Sequence, residues 1–133
     1  MHLEARLTAV AFERATGSDV AAMREILRLM TDASDARSYL DAVMSLHRAL
    51  VAAARIPVLD GMHQTVVALL RATLSRAVFV DGQMLQHSVV VHEGIVTAIG
   101  SHDRVAFDKV MRLHNDDLVR ADDPRRSPDT RLA

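Results

Sequence analysis

Three histidines carry the chemistry that this sequence could perform. His47, His92 and His114 each stand in the middle of a run of apolar residues at helical spacing, and each belongs to a different run. One such ring is ordinarily a core side chain with a single hydrogen-bond partner. Burying an imidazole without a partner costs roughly 1–3 kcal/mol on mutational scales. Three rings on helices that turn their apolar faces toward one axis can converge, and a single divalent ion would satisfy all of them. The chain has no cysteine, which excludes thiolate metal sites, thiol nucleophiles and disulfides.

The remaining candidates are weaker. His2, His63, His87 and His102 fall near element ends or off the main apolar stripes and read as solvated side chains. Ser88 lies one helical turn before His92. No nucleophile elbow or oxyanion-hole motif accompanies it, so support of the imidazole fits better than Ser–His hydrolysis. Arg71 and Arg76 are ordinary surface or snorkelling cations. If turned inward they would suit a carboxylate ligand through paired hydrogen bonds. Asp116, Asp117, Asp122 and Asp123 read as a solvated end, although the first two stand close to His114. There is no glycine-rich phosphate loop.

Helices must position these residues. Alanine and leucine abound, aromatics are 3% of the chain, and five glycines and three prolines leave little punctuation for strands. A first helix is expected from about Leu3 to Ala15. Thr16-Gly17-Ser18-Asp19 then supplies a capping box for a second, with Val20, Met23, Leu27 and Met30 on one face. Asp32–Asp35 breaks that helix and caps a third, about Asp35 to Arg55, whose stripe is Leu40, Val43, His47, Leu50 and Ala54. Pro57 suits the first turn of a fourth, with Leu59, Met62, Val66, Leu69, Leu70 and Ala77. After a break at Asp81-Gly82, the fifth carries Leu85, Ser88, His92, Ile95 and Ile99 and closes at Gly100. Ser101 or Asp103 opens the sixth, with Phe107, Val110, His114 and Leu118. Val89, Val90 and Val91 have strand propensity, but helical periodicity on both sides outweighs three residues. The expected fold is all-α, an antiparallel bundle of about six helices. It forms one domain over residues 1–121, followed by a disordered tail over 122–133 that is rich in proline and charge.

The chain has 133 residues, half of them hydrophobic, and a formal net charge of −1. That balance argues against a nucleic-acid surface, which shows as a basic excess, and duplex DNA is not expected to bind. No apolar run is long enough to span a bilayer, and Met1-His2-Leu3-Glu4-Ala5-Arg6 is too charged for a signal peptide. A cytoplasmic protein without membrane contact is expected.

Three segments, taken in order, resemble a known family. LEARLTAVAFERATGSDVAAM, LHRALVAAARIPVL and HEGIVTAIGSHDRVAFDKVMRLH are similar to successive parts of the FCD domain, the C-terminal effector-binding domain of FadR-like regulators of the GntR class. The resemblance runs from Leu3 to Leu118. It implies a helical bundle that dimerises and binds a small organic acid. In metal-binding members three histidines and an aspartate hold a divalent cation beneath the effector, and those histidines correspond to His47, His92 and His114. The aspartate, one turn before the first histidine, is here Val43, and Asp41 points to another side of the helix. Leu46, Ile56 and Val91 also depart from the usual phenylalanine, asparagine and glutamate. These departures bear on the metal and not on the fold. Three neutral nitrogens suit zinc or nickel better than magnesium or manganese, and their affinity should fall in acid, where imidazoles protonate. The winged helix through which such regulators bind DNA has no counterpart in these residues.

The leading expectation is a ligand-sensing and dimerisation domain without enzymatic activity. Arg71, Arg76 and Ser88 are its candidate effector contacts. Two alternatives stand beside it. A metal-dependent helical-bundle enzyme would need a general base, and no carboxylate lies on the three stripes. A ligand-free dimerisation module would be consistent with Val43.

Overall fold

The computed structural model describes residues 3–74 and 82–121. Among them are α1 (Leu3–Arg14), α2 (Gly17–Asp32), α3 (Ala36–Ala53), α4 (Pro57–Leu74), α5 (Gly82–Gly100) and α6 (Arg104–Ala121), and no strand. The valine run at positions 89–91 is helical. The expected tail lies outside the described residues, as do His2, Arg76, Ala77 and Asp81.

Local chemistry sets the helix starts. The Thr16 hydroxyl accepts from the Asp19 amide at 3.2 Å, and the Asp19 carboxylate accepts from the Thr16 amide at 2.8 Å, a complete capping box. Asp35 caps α3 by accepting from the Ser38 amide at 2.7 Å. Pro57 occupies the first turn of α4, where its missing N–H is no loss. Of the two candidates for α6, Asp103 is the cap, accepting from Ala106 N at 3.0 Å.

The helix ends were less legible. Gly100 does not turn the chain; His102 does, at φ 54°. The His102 amide donates to Ile99 O and the Asp103 amide to Ala98 O, the paired bonds of a Schellman turn with histidine where glycine is usual. Arg55 holds a similar conformation, φ 56°, after α3. Its guanidinium donates to Arg14 O, Ala53 O and Asp19 Oδ2, while Arg14 donates back to Ala54 O at 2.9 Å. These crossed bonds fasten the ends of α1 and α3 to the start of α2.

The core lies among α1, α2, α3, α5 and α6. Leu7, Met23, Leu46, Val51, Ile95, Val96, Ile99 and Phe107 are fully buried, and the Phe12 and Phe107 rings pack at 4.7 Å. Among the described residues, the stripes expected on α2, α3, α5 and α6 face the interior; the side chains of Leu85 and Leu118 lie outside that set. The stripe expected on α4 is divided: Leu59 packs against the core, whereas Met62 and Val66 are about half exposed. α4 packs chiefly on α3 and turns His63 inward, 6% exposed. His63 is therefore buried, contrary to its reading as a solvated residue.

Candidate metal centre

The packing of α3, α5 and α6 brings three imidazoles together. α3 contributes His47, α5 His92 and α6 His114, and the ring centroids lie 5.0–5.3 Å apart. One nitrogen from each ring lies within 4.8 Å of the other two. His92 and His114 are buried, and His47 is partly so. Among the described residues no aspartate or glutamate joins this group. Asp116 is exposed, and Val43 packs against the apolar core.

The closest approach is 2.9 Å, between Nε2 of His47 and Nε2 of His92. His92 Nδ1 lies 2.7 Å from the Ser88 carbonyl oxygen and 3.3 Å from the Ser88 hydroxyl. A carbonyl only accepts, so Nδ1 of His92 carries the hydrogen, and when neutral the ring presents an unprotonated Nε2 to its neighbours. His47 then donates the Nε2–H of the 2.9 Å bond. That separation suits a shared ion. With metal–nitrogen bonds of about 2.05 Å, nitrogens at right angles on one ion stand about 2.9 Å apart, and nitrogens at the tetrahedral angle about 3.3 Å. The neutral tautomer fixed by the Ser88 carbonyl turns Nε2 of His92 toward His47, the orientation a metal ligand needs.

Two features support this geometry. The Ser88 side chain stands beside the Tyr39 phenol; burial pushes the Tyr39 pKa up, and the contact with Ser88 acts the other way. Gly94 lets α5 and α6 approach: a Cβ there would meet Val110 Cγ2 at 3.0 Å. Gly94 follows His92 by two residues, and Val110 is one turn before His114. Neither the Gly94 contact nor the Tyr39–Ser88 contact was anticipated. A glycine in the middle of an apolar helix was the available signal for the first; nothing in the sequence announced the second.

The other candidates fare differently. Ser88 joins the site through His92. Arg71 lies on α4, with its side chain outside the described set. His87 and His102 are exposed, and His63, although buried, is not part of the three-histidine group.

A family model for the FCD domain matches residues 1–117. No curated protein and no solved structure matches the chain. The six-helix architecture agrees with the match, which covers nearly all the described residues. The chain belongs to the FCD family, whose domains are the effector-binding, regulatory part of GntR-type transcription regulators.

Proposed function

We propose that this domain senses a small organic carboxylate through a divalent metal ion held by His47, His92 and His114, and passes that signal through a homodimer. The supporting observation is the convergence of three imidazole nitrogens, two of them 2.9 Å apart, with His92 oriented by the Ser88 carbonyl. An ion bound by three neutral ligands keeps its full charge, and it would supply an electrophilic anchor for a carboxylate oxygen. Zinc or nickel suits this all-nitrogen set better than magnesium or manganese. Arg71 and Arg76 are the candidate cations for the remainder of the acid, and Ser88 borders the site. A ligand alters the spacing of two attached DNA-binding domains only by favouring one dimer arrangement over another. The absence of a described carboxylate base beside the three rings argues against the hydrolytic alternative.

Calorimetric titration of metal-stripped protein tests the reading. Zinc should bind at one site per chain, more tightly than manganese, and His92→Ala should abolish that site. Tighter manganese binding, or zinc binding indifferent to His92→Ala, would show that the ligands are other residues.

A further inference from the structure

α4 turns an apolar face to solvent. Leu59 packs against the core and His63 is buried, so the opposite side of the helix points outward. There Val58 is 74% exposed, Met62 53% and Val66 50%, on successive turns. Gly61, Thr65 and Ala68 are exposed beside them. The Thr65 hydroxyl donates to the Gly61 carbonyl at 3.2 Å, so its hydrogen is used within the helix. A Cβ on Gly61 would meet nothing within 4 Å, which leaves the backbone open to a close neighbour. Val58, Gly61, Thr65 and Ala68 follow one another at steps of three and four residues, the spacing with which one helix packs along another.

A surface helix ordinarily keeps its charges on the outward side. α4 does the reverse. Its two charged residues, Asp60 and Arg71, stand about half a turn around the helix from Met62. The other large apolar residues exposed among the described residues differ from this face. Leu29, Val105 and Leu113 each follow an exposed arginine, and Val90 stands alone on α5. Single exposed apolar side chains are ordinary; three on consecutive turns of an uncharged face mark an interaction site.

The chemistry of the face selects its occupant. Recognition of an unlike protein draws on complementary charge, and a helix lying on a membrane carries flanking lysines and arginines. The exposed face of α4 offers neither. A copy of the same face meets it with no like charges opposed and no charge buried, and a two-fold axis supplies the identical patch from both sides.

We propose that the outward face of α4, centred on Met62, is the surface on which two copies of this chain pair. The proposal rests on the homodimer reading given above and not on the metal. One helix face buries less than the roughly 800 Å² per partner of a standard stable interface, so the dimer should dissociate on dilution.

Sedimentation velocity of the full chain, in chelator and over a range of concentrations, is the test. The parent should pass from monomer to dimer as concentration rises. Met62→Glu alters an exposed position, so it should keep the helical circular dichroism. Two such carboxylates would be opposed across the axis, and the dimer should weaken at least about tenfold. Val105→Glu alters a residue still more exposed, on α6, and should dimerise as the parent does. The chain has no cysteine, so a single introduced thiol reports its own position. Under mild oxidation the Met62→Cys variant should form a disulfide-linked dimer and the Val105→Cys variant should not. A parent that stays monomeric at every concentration would overturn the homodimer reading and this surface with it. A parent dimer untouched by Met62→Glu, weakened equally by Val105→Glu, or cross-linked only through Val105→Cys would overturn the α4 surface alone.

Discussion

Restoring a carboxylate at position 43 is the most direct probe of the centre. Val43 stands one turn before His47 on α3 and is partly buried against the core. Val43→Asp removes part of an aliphatic burial, about 1 kcal/mol. It also places a carboxylate in partly dry surroundings, at a cost of roughly 1–3 kcal/mol if no partner is present. The metal-free variant should thus be less stable by about 2–4 kcal/mol. At about 4 °C per kcal/mol for a domain of this size, it should melt roughly 8–16 °C below the parent. With metal the same carboxylate becomes a fourth, anionic ligand. An ion at about 100 times its dissociation constant stabilises by roughly 2.7 kcal/mol, enough to recover most of that loss. The oxygen donor also widens the choice of metal. Thermal unfolding followed by far-UV circular dichroism, in chelator, zinc and manganese, reads all of this. The parent should respond to zinc and scarcely to manganese, and Val43→Asp should respond to both. Val43→Asn, destabilised without the charge, should gain no manganese response. If Val43→Asp melts identically in chelator and in either metal, position 43 does not face the ion and the ligand geometry argued above is wrong.

Three further outcomes follow from the capping and orienting contacts. The hydrogen bond from the Thr16 amide, and after it the Arg55 guanidinium, hold the Asp19 pKa below its ordinary value. The stability this contributes is present above the ordinary carboxylate pKa and is lost as pH falls through the lowered one; Asp19→Asn should therefore cost about 1 kcal/mol at neutral pH, with the gap in urea denaturation closing in strong acid. His102→Gly should raise stability by about 1 kcal/mol by relieving the left-handed backbone, whereas Arg55→Gly should lower it, because three hydrogen bonds are lost for the same relief; paired urea midpoints check both. Ser88→Ala should change zinc affinity by less than about tenfold, since the carbonyl that fixes His92 remains, and a larger loss in calorimetry would assign that role to the hydroxyl.

The bundle was legible wherever apolar spacing singled out one face. On α3 and α6 charged residues flank the stripe, and a histidine within it could be assigned to the interior from sequence alone; α5, whose one charged residue is Glu93, kept its stripe on apolar spacing alone. α4 was not legible for the opposite reason. From Pro57 to Leu74 its only charged residues are Asp60 and Arg71, so it is apolar on most sides and periodicity cannot select a face. Tertiary packing on α3 made the choice, exposing Met62 and Val66 and burying His63. The turn residues misled for a different reason. Glycine is the usual left-handed cap, yet Arg55 and His102 take that role because neighbouring hydrogen bonds over-determine the turn. Apolar-stripe spacing and the family resemblance singled out the three histidines that converge, but the orientation of His92 by a main-chain carbonyl has no sequence signature.

The absent side chain at Gly94 has a consequence for how the three-histidine cluster is sized. A Cβ at position 94 would meet the Val110 methyl at 3.0 Å, so the approach of α5 to α6 at this level depends on the missing side chain, and His92 and His114 ride on those same two backbones. The span between two of the three imidazoles is therefore gauged by a residue outside the histidine cluster. A bulkier residue at position 94 would act as a shim, widening the site and favouring larger ions without altering a ligand. The spacing of the histidine cluster, and with it the fit of the proposed ion, thus depends on the same position as the packing of α5 on α6.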